Sequence, residues 1–135
     1  MILRHLLATI LLYCATTANA EDFLDAKKAA EWVEKNNAIL IDIREESELS
    51  ASGMAKPAIW IAKSDIDSNS QKFKTFLKET NKDKKIIMYC RSGGRVSRTL
   101  PKITAAGFKA YNIGGFSHWK DAGLPVQPYK HSRAN

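Results

Sequence analysis

The chain has 135 residues, of which 44% are hydrophobic and 26% charged, the composition of an ordinary globular domain with room for a real core. It has no internal repeat, low-complexity tract or heptad pattern, so fibrous and solenoid architectures are excluded. The formal net charge is +7, but lysines such as Lys72, Lys74, Lys78, Lys82, Lys84 and Lys85 stand without interleaved aromatics or any nucleic-acid motif. That pattern argues against nucleic-acid binding and suits the gathering of small anions.

The first twenty residues are of a different kind. Arg4 and His5 precede the apolar run Leu6–Cys14, and Ala15-Thr16-Thr17-Ala18-Asn19-Ala20 leads straight into Glu21-Asp22. A basic start, a short apolar stretch and an A-x-A ending predict a secretory signal peptide over residues 1–20, cleaved after Ala20. The run is short for a membrane anchor, which needs roughly 20 residues. Tyr13 does not suit lipid attachment at Cys14. Cleavage removes Cys14 and Arg4, leaving one cysteine, Cys90, and 20 basic against 14 acidic residues, or +6. The expected address is periplasmic, with no membrane contact once the signal is gone. The domain is expected over residues 21–128, with a polar tail over 129–135.

Beyond the signal, Leu24 to Asn37 carries Ala26, Ala29, Ala30 and Val33 at helical spacing. Residues 38–43 form a nearly continuous apolar strand of the buried parallel kind. Glu45 to Ser52 predicts one or two helical turns stopped by Gly53, and Ala58–Ile61 a second strand. Ser70 to Thr80 places Phe73, Phe76 and Leu77 on one helical face behind a serine cap. Lys85–Tyr89 is the third strand. A helix over Arg95–Ala106 ends at Gly107, and Pro101 is expected to kink or shorten it. Lys109–Ile113 is the fourth strand. Gly114-Gly115 then turns the chain into a short helix around Trp119, closed by Gly123-Leu124-Pro125. Alternating strands and helices predict an α/β domain: a central, mostly parallel sheet of about four to five strands with helices on both faces.

The chemistry lies between the third strand and the helix after it. Cys90 ends the strand, and Arg91-Ser92-Gly93-Gly94-Arg95 follows. A cysteine at the mouth of such a loop faces backbone N–H groups and the positive end of a helix dipole. Both favour the thiolate, which is the nucleophile. In a parallel sheet, ligands bind at the carboxyl ends of the strands, where Cys90 falls. These residues point to a reactive cysteine for an anionic substrate. A lone cysteine in an oxidising compartment is a hazard unless its reactivity is used. The histidines show no metal-ligand spacing and no nucleotide-phosphate motif is present, so neither a metal nor a cofactor is expected.

Three blocks in order now carry a resemblance: Ile41-Asp42-Ile43-Arg44-Glu45, then Cys90-Arg91-Ser92-Gly93-Gly94-Arg95, then Gly114-Gly115-Phe116-Ser117-His118-Trp119-Lys120-Asp121-Ala122-Gly123-Leu124-Pro125-Val126. The chain resembles a single-domain rhodanese of the thiosulfate sulfurtransferase family, of an exported, periplasmic type. The resemblance implies that Cys90 accepts a sulfane sulfur from a small anionic donor such as thiosulfate. The persulfide then passes its sulfur to cyanide or to a thiol acceptor, for which a redox protein is one candidate. It implies that the backbone from Arg91 through Ser92, Gly93 and Gly94 to Arg95 cradles the persulfide, and that Arg91 and Arg95 orient the donor. Asp42 and Arg44 are implied as buried support for the loop, and Trp119 as packing.

The chain departs from the family at Met54, where a histidine is usual, at Pro57, where a glycine is usual, and at Val96, where a small hydroxyl residue is usual. The loop containing Met54 and Pro57 is expected near the site, where it bears on donor choice. Val96 removes a possible hydrogen bond to the persulfide. Two other readings stay open. A secreted rhodanese-like persulfide carrier or binding module with little turnover is one. A cysteine phosphatase or arsenate reductase is the other; those enzymes use a wider ring, with one more residue between cysteine and arginine than the four found here.

Overall fold

The computed structural model describes residues 22–131. The expected signal peptide, its cleavage point and Cys14 lie outside the described residues. Within them, no helix is long and apolar enough to cross a membrane.

Among the described residues twelve elements follow in chain order: α1 (Ala26–Glu34), β1 (Ala38–Asp42), α2 (Glu46–Ser52), β2 (Met54–Ala55), β3 (Ile59–Trp60), α3 (Lys63–Asp67), α4 (Gln71–Glu79), β4 (Lys85–Cys90), α5 (Gly94–Ala105), β5 (Ala110–Gly115), α6 (Phe116–Asp121) and β6 (Val126–Gln127). Four strands make one fully parallel sheet in the order β3-β1-β4-β5, and β2 pairs antiparallel with β6 in a separate ribbon. The central sheet therefore has four strands, at the lower end of the expected number.

Side-chain alternation along the strands divides the core into two layers. Leu40 of β1, Ile87 and Tyr89 of β4 and Ile113 of β5 face Ala29 of α1, Leu49 of α2 and Phe116 and Trp119 of α6. Ile41, Ile86, Met88 and Cys90 point the other way, toward Ile66 of α3, Phe73 of α4 and Val96 and Ile103 of α5. Helices thus cover both faces, as parallel strands apolar on both sides require.

The chain order of strands reverses direction between β1 and β4: β1 is followed outward by β3 on one side, β4 by β5 on the other. A crevice opens at such a reversal, at the carboxyl ends of the strands. Asp42, Cys90 and Gly115 end β1, β4 and β5 there.

Local signals mostly act as expected. The Ser70 hydroxyl accepts the Phe73 N–H at 3.2 Å, capping α4. Gly53, at φ +73°, ends α2. Other expectations change. The second strand shortens to Ile59–Trp60, and α3, β2 and β6 appear where no element was expected. Helix α5 runs unbroken through Pro101 to Ala105. An interior proline costs about 3 kcal/mol, yet burying Val96 and Ile103 on either side of it contributes about 1.5–3 kcal/mol each, so packing against the sheet wins. The Tyr129 ring stands edge-on to Trp60 at 5.5 Å, and its hydroxyl donates to Glu46 Oε1 at 2.9 Å.

Candidate active site

Cys90 is delivered by β4 and almost wholly buried, at 1% exposure. Its side chain leans toward the start of α5, and its Sγ accepts the Gly93 N–H at 3.0 Å. Burial pushes the thiol up, but hydrogen bonds from the backbone amides of Val96, Ser92, Gly93 and Arg95 outweigh it and hold Cys90 below the usual thiol range. The loop acts as a ring of donors around one sulfur, before any side chain is considered.

The loop can take this shape because of glycine. Gly93 has φ +99°, and a Cβ there would come within 2.7 Å of the Phe23 ring. Gly115 passes directly beneath the loop; a Cβ on it would overlap the carbonyl oxygen of Arg91 and lie 2.8 Å from the carbonyl carbon. The Gly-Gly block that ends β5 is thus the floor on which the cysteine loop sits.

Arg95, half-buried at the loop's end, faces Glu48 of α2. Its Nη1 donates to Oε2 at 2.7 Å and its Nη2 to Oε1 at 2.6 Å. This forked pair lowers Glu48 to about 2. The same guanidinium interacts with the Cys90 sulfur, and with Glu48 this keeps Arg95 charged. Arg91, Ser92 and Gly94 are exposed, Arg91 on the wall of a depression of about 430 Å³. The other lining residues are Arg44, Glu48, Ala51, Ser52, Phe116, Ser117 and Lys120. They come from the segments after β1, β4 and β5, so all three strand ends contribute.

Asp42 and Arg44 are buried, as expected, but their hydrogen bonds go elsewhere than the cysteine loop. Arg44 Nη2 donates to Asp42 Oδ2 at 2.7 Å and to the Gly53 carbonyl at 2.7 Å, while Nη1 donates to Ser52 Oγ at 2.9 Å. The guanidinium also lies 4.4 Å from the Phe116 ring centroid. The pair secures the carboxyl end of α2, and α2 presents Glu48 to Arg95. Support for the loop is therefore relayed through one helix.

Two further residues hold the loop, and nothing in the cysteine motif announces them. Glu48 is one. Asn112, buried in β5, is the other: its Nδ2 donates to the Gly93 carbonyl at 3.0 Å and its Oδ1 accepts the Gly114 N–H at 2.7 Å. A polar residue interrupting an otherwise apolar strand is the one sequence signal that marks it, because a buried amide must be paired.

The departures also find their places. Met54 is buried in β2, which pairs with β6, and residues 54–58 are not among those that line the depression, although the neighbouring Gly53 carbonyl accepts from Arg44, which does line it. The Val96 side chain is fully buried in the core while its N–H serves Cys90. Trp119 is buried, with its Nε1 donating to the Pro125 carbonyl at 2.7 Å, the packing role expected. His118 is exposed, and its Nδ1 accepts the Gly115 N–H at 2.8 Å.

Comparison with known proteins sharpens this picture. Residues 25–122 match the rhodanese-like domain family. The Bacillus subtilis (strain 168) protein named "Putative sulfurtransferase YtwF" is 36% identical over 87 residues, which is 64% of this chain and 77% of that protein. The tRNA uridine(34) hydroxylase of Acinetobacter baumannii (strain AYE) is 33% identical over 100 residues, 69% of this chain but only 29% of the hydroxylase. Among solved structures, reduced Bacillus anthracis CoADR-RHD superposes with a TM-score of 0.62 at 28% identity, over 78% of this chain and 18% of that one. A rhodanese-related protein of Thermoplasma volcanium shares the fold, with a TM-score of 0.64 at 24% identity, over 81% of this chain and 100% of that one. A match across most of the described residues, with the cysteine loop inside it, leaves one assignment: the chain belongs to the rhodanese-like domain family.

Proposed function

We propose that this domain is a sulfurtransferase that carries a sulfane sulfur as a Cys90 persulfide, taking it from an anionic donor such as thiosulfate. The family match and the sulfurtransferase name of the Bacillus relative support sulfur transfer in the broad sense. The observation that carries the finer reading is the ring of amide donors from Ser92 to Val96 around the Cys90 sulfur. Such a ring stabilises negative charge on sulfur, and it would do so equally for the outer sulfur of a persulfide.

In the first half-reaction, the Cys90 thiolate attacks the sulfane sulfur of thiosulfate. A Cys–S bond forms, the S–S bond of thiosulfate breaks, and sulfite leaves with the electron pair. Cys90 is left as a persulfide anion held by the loop amides. In the second half, cyanide or a thiolate attacks the outer sulfur; thiocyanate or a new persulfide departs, and the Cys90 thiolate is restored. No external oxidant or reductant is needed, and the cycle is of the ping-pong type.

The four-residue spacing between Cys90 and Arg95 supports this reading over phosphoryl transfer, because the ring closes around a single atom. Residues 1–20 are read as a cleaved export signal, which would place the domain in the periplasm; the N-terminal sequence of the exported protein tests this. Intact mass tests the function. Thiosulfate should add one sulfur atom to the wild-type chain, cyanide should remove it as thiocyanate forms, and Cys90→Ser should take up none. A wild-type chain that gains no sulfur from thiosulfate would favour a binding module instead.

A further inference from the structure

A small dianion entering the depression must be met by cations that are not already neutralised, and few qualify. The Arg44 guanidinium is bound to Asp42, and that of Arg95 to Glu48. Arg91 and Lys120 line the same depression. Among the described residues neither has a carboxylate within ion-pair distance. Lys120 is exposed on α6, and its ammonium lies 4.8 Å from the centroid of the Phe116 ring, another wall of the depression. The ring's negative face draws the ammonium toward the depression. Arg91 and Lys120, on two separate elements, thus offer two positive charges at the depression with no carboxylate partner among the described residues, and a small anion would meet both.

We propose that Lys120 is a donor-binding residue, which with Arg91 receives the charged end of a dianionic sulfane donor. Arg95, engaged by Glu48, is a positioning residue for the loop and its sulfur. The proposal deepens the persulfide reading above and rests on it for the identity of the ligand. It divides the work among three cations: Arg91 and Lys120 meet the anion, and Arg95 shapes the ring that accepts its sulfur.

The test compares wild type with Lys120→Ala, Lys120→Arg and Lys120→Glu in two assays. In sulfur transfer from thiosulfate, Lys120→Ala should raise KM about three- to ten-fold with kcat nearly unchanged, Lys120→Arg should restore it, and Lys120→Glu should be worse. The second assay needs no sulfur transfer: alkylation of Cys90 by iodoacetate, an anion, against iodoacetamide, which is neutral. Lys120→Ala should lower the iodoacetate-to-iodoacetamide rate ratio by a similar factor, and added salt should shrink the wild-type ratio toward that of the variant. An unchanged ratio, or an equal fall with both reagents, overturns the proposal. A ratio that depends on Lys120 in a chain that never takes sulfur from thiosulfate would sink the sulfurtransferase reading while upholding Lys120 as the anion-binding residue.

Discussion

Arg95 and Glu48 meet in a fork of two hydrogen bonds, 2.7 and 2.6 Å long, that joins the helix after the first strand to the first turn of the helix after the fourth. The pair spans the crevice where the strand order reverses and ties α2 to the start of α5. Its carboxylate is the more perturbed partner, lowered from 4.5 to about 2. Because Glu48 is depressed in the folded state, its contribution to stability is complete above pH 4.5 and is lost as the pH falls toward 2. Both side chains are partly exposed, and water screening holds that contribution to about 1 kcal/mol. Glu48→Gln should therefore lower stability near neutral pH by about that amount and flatten the acid limb between those two values. Urea unfolding of both proteins at several pH values checks it; parallel acid limbs would refute it.

Cys90 itself should titrate below the ordinary thiol value of 9.0, since the loop amides outweigh its burial. The rate of alkylation by iodoacetamide, followed against pH, should rise through a midpoint under that value. A midpoint at or above it would mean that burial dominates the sulfur's surroundings.

Asn112→Asp exchanges a buried amide for a carboxylate beneath the loop. The Gly93 carbonyl loses its donor and faces a negative charge, while the Gly114 N–H keeps an acceptor. Stability should fall by about 2–3 kcal/mol. A nearby negative charge also disfavours the thiolate, so the Cys90 alkylation midpoint should move to higher pH. Thermal unfolding and the same alkylation profile measure the two effects.

Gly115→Ala puts a methyl group into the Arg91 carbonyl, and backbone cannot swing aside as a flexible side chain can. The loop must shift, at a cost of about 3 kcal/mol or more. Alkylation of Cys90 should slow at every pH, because the ring of amides no longer closes on the sulfur. By contrast, Gly123→Ala meets no atom within 4 Å and should leave alkylation unaltered, although its φ of +71° carries some backbone strain.

Arg44→Met would strip the buried Asp42 of its partner and release the Ser52 and Gly53 contacts together. An uncompensated buried carboxylate costs about 3–5 kcal/mol, so this variant should be the least stable of the set. Chemical denaturation ranks it; a loss under about 1 kcal/mol would show that Asp42 finds water or another donor.

Much of this was legible in the linear order of residues. Apolar runs such as Ile86-Ile87-Met88 declare a strand buried on both sides, since only a parallel sheet covered by helices hides both faces. Ser70 and Gly53 mark helix ends because capping is a matter of a few neighbouring atoms. The Cys90 loop is local too: its donors lie within six residues of the sulfur, and a short segment of chain specifies them. Tertiary structure alone decided which charges the site keeps. Glu48 and Arg95 are 47 residues apart, Asn112 and Gly93 19, and no periodicity links such pairs. Only the strand order brings α2, the cysteine loop and α6 to one crevice, and there Glu48 pairs with Arg95 while Arg91 and Lys120 have no carboxylate within ion-pair distance among the described residues. Pro101 shows the same limit from the other side, because a local breaking rule yields when the flanking side chains are buried against a sheet. Bond geometry over a few residues is written in the chain; the balance of charge at the site depends on residues that only folding makes neighbours.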